Sequence, residues 1–114
     1  MADKMLLFIV VNDSARMHDV MAGLTEAGVS GATLVESQGM ASILAEEIPI
    51  FAGLRNIMAG SHPHNFTVFS VIENSAVVED VKEILKDILE DKEEEQNNSK
   101  GILFTTPILQ FHHL

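Results

Sequence analysis

The chain has no cysteine, no tryptophan and no tyrosine, and only seven lysines and arginines stand against seventeen acids. Without cysteine there is no disulfide framework, no thiolate metal site and no thiol nucleophile, a composition that suits a reducing cytoplasm. Without tryptophan and tyrosine the usual stacking platforms for bases are gone, and six phenylalanines remain. The formal net charge is −10. Nucleic-acid binding draws on clustered lysine and arginine, so no nucleic-acid partner is expected. Long apolar runs are missing too. The run from Met5 to Val11 falls far short of the ~20 residues that a membrane-spanning helix needs. No small-residue cleavage site precedes the first turn. Neither a transmembrane segment nor a signal peptide is expected, and the location that follows is cytoplasmic.

What is present suffices for one core. A length of 114 residues with 46% hydrophobic content predicts a single domain over 1–114. The acidity is uneven: residues 79 to 95 hold nine acids and three lysines. The remainder is only mildly acidic and leaves room for a local anion site.

Lys4 to Val11 reads as a strand in the middle of a sheet, nearly continuous in β-branched and apolar residues. Asn12, Asp13 and Ser14 supply capping oxygens for a helix. Met17, Val20, Met21 and Leu24 form its buried stripe, and Gly28 ends it. A shorter strand is expected over Ala32 to Ser37, and a clear one over Phe66 to Glu73. Asn74 and Ser75 cap a second helix whose apolar stripe is Val78, Val81, Ile84, Leu85, Ile88 and Leu89. Its opposite face is charged: Glu79 and Glu83 are a like-charge pair, and Glu79-Lys82, Glu83-Lys86 and Glu83-Asp87 give a mixed pattern with little net gain. The last strand is expected from Ile102 to about Gln110, with Pro107 making its later half an edge or a bulge.

This order predicts an α+β fold of ferredoxin-like β-α-β-β-α-β plan, a four-stranded antiparallel sheet with two helices on one face. A long loop joins the second and third core strands. The strands are apolar on both sides, so one sheet face is left bare, and the economical cover is another copy of the chain. The loop, residues 40–65, exceeds the usual length for a structureless connection. Within it Phe51, Leu54, Ile57 and Met58 share a helical spacing closed by Gly60. That patch is expected to rest on a neighbouring subunit or to contact a partner protein. Arg55 stands inside it, placed either to pair with Glu46 or Glu47 across a subunit boundary or to reach an anionic ligand.

With these elements placed, the chain resembles the P-II nitrogen-regulatory signal-transduction superfamily, and most closely its small P-II-like members of unassigned function. The resemblance is carried by Glu26-Ala27-Gly28-Val29-Ser30-Gly31-Ala32-Thr33 at the helix-to-strand join, by Glu36-Ser37-Gln38-Gly39-Met40 entering the long loop, and by Lys100-Gly101-Ile102-Leu103-Phe104 before the last strand. Members are regulators built as homotrimers with their sheets facing inward, and adenine nucleotides bind between subunits. By position, the resemblance implies a ligand wall of Gly31, Ala32, Thr33, Gly39 and Met40, met by Lys100 and Gly101 of the next subunit. It implies a non-enzymatic regulatory or sensor protein that takes a small metabolite or a protein partner at the subunit clefts.

The residues depart from that family where phosphate would sit. The only arginines are Arg16 and Arg55, and the segment after the last strand carries none. The stretch Glu93 to Ser99 is acidic, whereas phosphate calls for cations and free amides. With no tyrosine, uridylylation is excluded. No cofactor is therefore expected, although the resemblance itself would allow a nucleotide.

Each candidate also has a plainer reading. Gly31 suits a tight turn and Thr33 an ordinary strand; Lys100 limits edge pairing and Gly101 opens a strand. The imidazole clusters are His62 with His64 and His112 with His113. Brought together in a trimer they offer nitrogen ligands for zinc or copper, but adjacent strand histidines point to opposite faces, and no metal is expected. His18 lies beside the first helix stripe as a structural residue. Glu46 and Glu47 are not spaced as an acid–base pair, and neither a nucleophile elbow nor a Walker loop is present. An enzyme is not expected. The alternatives to a sensor are a structural or protein-interaction module without a small ligand and a metal-binding trimer.

Overall fold

A computed structural model describes residues 4–40, 43–44, 65–90 and 100–114. The elements are β1 (Met5–Val11), a 3-10 turn (Ser14–Arg16), α1 (Met17–Glu26), β2 (Thr33–Ser37), β3 (Asn65–Ile72), α2 (Ser75–Leu89) and β4 (Gly101–Pro107). The strand order is β2-β3-β1-β4, and all three pairings are antiparallel. This is the ferredoxin-like sheet expected from the order of elements, with the most apolar strands, β1 and β3, at its centre.

Local chemistry sets the boundaries. The Asp13 carboxylate accepts from the Ala15 amide at 3.0 Å, and the Asn74 side-chain oxygen accepts from the Ala76 amide at 2.9 Å. Each satisfies an amide that the first turn leaves without an intrahelical partner. Gly28 takes a left-handed φ of 99°, which releases the chain from α1 toward β2 at little steric cost. His18 is exposed, not packed as expected: one step from Met17 it lies on the solvent side of the helix.

Pleating sends alternate residues to opposite faces. Leu7, Ile9 and Val11 of β1 share the helix-side face with Phe66, Val68 and Ile72 of β3, and all six are buried. Val20 and Leu24 of α1 and Val81 and Leu85 of α2 complete that core. The helices approach closely at Gly23, where a Cβ would lie 2.8 Å from Ile84 Cγ2 and 2.9 Å from Ile88 Cδ1.

The last strand is shorter than expected. It ends at Pro107, opposite Met5, and its last rung is the Ile108 amide to the Lys4 carbonyl at 3.2 Å. Among the described residues β1 begins at Met5, and residues 108–114 are not part of a strand. The expected insertion 40–65, with Phe51, Leu54, Arg55, Ile57 and Met58, lies outside the described residues except for positions 40, 43, 44 and 65.

Two glycines give opposite expectations. A Cβ at Gly101 would sit 2.5 Å from the Val10 carbonyl oxygen, a backbone atom with no rotamer to move. Gly101→Ala should therefore lower unfolding stability by about 1–3 kcal/mol in urea titration, the range for overpacking. A Cβ at Gly31 would meet nothing within 4 Å, and its φ is not left-handed. Gly31→Ala should leave stability unchanged or raise it by up to ~1 kcal/mol through the unfolded state.

Candidate functional site

The register gathers three chain junctions at one end of the sheet. Val11 ends β1 beside Phe66 and Gly101, and Ser37 ends β2 beside Asn65. The segment after β1, both ends of the long insertion and the entrance to β4 thus meet there. The Asn12 amide donates to the Lys100 carbonyl at 2.8 Å, fixing the chain just before β4 against the end of β1. Gly101 is needed at this point because the β1 backbone passes too close for any side chain.

On the β2 side, the Gly39 carbonyl accepts from the Ile43 amide at 3.1 Å, starting a helical turn at Met40. Met40 itself is 77% exposed. Beneath it the Ser37 hydroxyl donates to the Asn65 side-chain oxygen and lies 3.0 Å from the Thr67 hydroxyl. These three polar side chains tie the two ends of the insertion together. Sequence reasoning passed over them; Ser37 and Asn65 flanking the insertion were the available signal.

The seven candidate ligand residues do not converge within one chain. Gly39 and Met40 lie at the β2 edge and Lys100 and Gly101 at the β4 edge, three strand spacings apart, about 14 Å. Gly31, Ala32 and Thr33 stand at the other end of β2, where the buried Ser70 hydroxyl donates to the Gly31 carbonyl. The side chain of Ser70 is thus satisfied by backbone, and that contact anchors the start of β2.

Cations at this end are few. Arg16 is held by Asp13 at 3.7 Å and by Asp19 at 4.0 Å. Lys100 is half-buried at the strand entrance. Among the described residues no group of three histidines or acids is spaced for a metal ion. His112 and His113 follow the end of β4 at the opposite end of the sheet, and His62 and His64 lie outside the described residues.

The bare face is apolar at its centre, where Leu6, Phe8 and Val10 of β1 are flanked by Phe69 and Val71 of β3 and by Ile102 and Phe104 of β4. Phe8 stacks on Phe104 of β4 at 5.1 Å between centroids, nearly parallel at 11°, and meets Phe69 of β3 at 6.0 Å. Ile102 and Phe104 are 56% and 47% exposed on it. Its base is closed by an ion pair, Lys4 Nζ to Glu73 Oε1 at 2.8 Å. The hydrogen bond from Lys4, and then its charge, hold the Glu73 carboxyl below its ordinary value of 4.5.

No protein-family model matches the sequence, and no curated protein matches it. Solved structures do match in fold. A functionally unknown protein from Pediococcus pentosaceus superposes with a TM-score of 0.64 at 17% identity, covering 100% of both chains. Bacillus subtilis GlnK in complex with ATP gives 0.61 at 15% identity, covering 96% of this chain and 87% of that one. CPII, a nitrogen-regulatory PII-like protein from Thiomonas intermedia bound to ADP, AMP and bicarbonate, gives 0.58 at 17% identity, covering 97% and 96%. The fold is that of the PII proteins.

The Glu73 shift has a pH signature. A depressed carboxylate contributes stability that is present above its unfolded value, near 4.5, and lost as pH falls through the lower folded value. Glu73→Gln should lower stability slightly in the neutral region, where the contribution is present, and leave the acid end unchanged, so that the acid-side fall flattens; the effect is small because the pair is exposed. Chemical denaturation between about pH 3 and 7 checks this.

Proposed function

We propose that this chain is a non-enzymatic regulatory or sensor protein of PII type, working as a cytoplasmic homotrimer that takes a small metabolite or a protein partner at its subunit clefts. The observation that carries the reading is the bare apolar face bearing Phe8, Phe69 and Phe104. Contiguous apolar surface of this kind marks an interface. The split of the candidate residues between the β2 and β4 edges adds direction. A two-fold contact would set like edge against like edge. A head-to-tail contact sets the β2 edge of one copy against the β4 edge of the next, and head-to-tail contacts close into rings.

In such a ring Gly39 and Met40 of one copy would face Lys100 and Gly101 of the next, with Gly31, Ala32 and Thr33 further along the same edge. The ends of the insertion stand at this cleft, so a ligand there would shift the population of the 40–65 segment between docked and released states. Phe51, Leu54, Arg55, Ile57 and Met58 would carry the contact to the neighbour or the partner. Of the similar structures, GlnK is described with ATP and CPII with ADP, AMP and bicarbonate. This chain offers few cations there: among the described residues they are Arg16, engaged by two carboxylates, and Lys100. A smaller or less charged ligand than a triphosphate fits that supply better.

Sedimentation equilibrium should return a trimer at micromolar concentration, and Phe69→Asp should abolish it by placing a charge in the apolar face. A monomeric wild-type protein overturns the reading. For ATP, calorimetry should give a Kd weaker than about 100 µM, less than roughly 5.5 kcal/mol of binding free energy. A low-micromolar constant would instead assign Lys100 and Arg55 to the phosphates.

A further inference from the structure

Residues 108–114 leave the sheet, yet they do not simply trail into solvent. Lys4 stands one step before β1, on the alternation that carries Leu6 and Phe8 on the bare face, and its carbonyl receives the Ile108 amide. Its ammonium lies 3.8 Å from the centroid of the Phe111 ring while bonding the Glu73 carboxylate at 2.8 Å. Phe111 in turn meets His113 edge-on at 4.8 Å. One cation thus joins the start of β1, the end of β3 and the segment that follows β4.

We propose that residues 108–114 form a releasable strap, clasped at the base of the bare sheet face by the Lys4 ammonium held between the Glu73 carboxylate and the Phe111 ring. Glu73 orients the ammonium, and the ring accepts it on its negative π face. Leu109 is 96% exposed, and the described contacts that hold the strap are the clasp and the Ile108 rung. An exposed ion pair of this kind weakens with salt. Among the described residues the groups facing Glu73 are Lys4 and, more weakly, His113. The strap is therefore the element of the described chain most open to switching by ionic strength or by neutralisation of Lys4. It also borders the face that copies would share, so its release would alter that end of an assembly; this consequence rests on the trimer reading, whereas the clasp itself does not.

Two measurements on the full chain test the clasp, and both can be read in a monomer or a trimer. In proton NMR the Lys4 ε-methylene should resonate upfield of those of Lys82 and Lys86, because it lies over the Phe111 ring. Phe111→Leu should remove that shift, and Glu73→Gln or high salt should reduce it. Chymotrypsin cleavage after Phe111, followed by mass spectrometry, should run about two- to fivefold faster in Lys4→Met, the range for one exposed cation–π contact. Lys4→Arg should keep the wild-type rate. A wild-type Lys4 signal coincident with that of Lys86, or cleavage no faster in Lys4→Met than in wild type, overturns the proposal. Should Lys4→Met fail to fold, the Phe111→Leu spectrum still decides.

Discussion

The molecule is governed by a mismatch between its sheet and its helices. β1 and β3 are apolar on both sides, but two helices cover only one side, so burial of Leu7, Ile9, Val11, Phe66 and Val68 leaves Leu6, Phe8, Val10 and Phe69 on the other. A fully buried aromatic or aliphatic side chain contributes roughly 1.5–3 kcal/mol relative to exposure. The stack of Phe8 on Phe104 recovers part of that within the chain. The rest is left to whatever covers that face, which in the proposed reading is a second copy. Everything proposed about function follows from this surplus: it supplies the drive for assembly, and assembly is what can bring the two edges of different copies together.

The polar groups on the bare face sit where that drive needs limits. Ser37, Asn65 and Thr67 hydrogen-bond at one end, and Lys4 and Glu73 pair at the other. Both groups satisfy one another within the chain, so a neighbour covering the centre strands no polar atom at either margin. They also fix the height of the contact along the strands, because a slipped copy would press phenylalanine against charge.

Much of this was legible in the sequence. Period-2 and period-3.6 patterns locate the four strands and two long helices of the described residues, and the caps at Asp13 and Asn74 and the stop at Gly28 are legible because their geometry is decided within four residues. The misreadings came from contacts between distant residues. β4 was drawn too long since only its pairing with Met5 shows where its partner strand runs out. His18 reads as a structural residue beside the helix stripe but stands exposed on the solvent side, because composition does not tell the shoulder of a stripe from its outer face. Gly101 opens β4 as expected; what the sequence does not show is the nearness of the Val10 carbonyl, ninety-one positions away. The strap was invisible for the same reason: nothing in a lysine and a phenylalanine at opposite ends of a sequence announces that they touch.

The candidate site shows the same limit at the next level. Residue types suggested Gly31, Gly39, Lys100 and Gly101, but the register separates them onto two edges and two ends of one sheet. Proximity among them is a property of the assembly and not of the chain. Charge narrows what such a cleft could hold. At the shared end of the sheet the described cations are Arg16, engaged by Asp13 and Asp19, and Lys100. So small a number suits a single carboxylate or phosphate-sized group better than the several charges of a triphosphate, since each uncompensated charge drawn from water costs several kcal/mol. The fold is that of the PII proteins, and the cleft proposed on it, with so few cations, calls for a ligand of lower charge than a triphosphate.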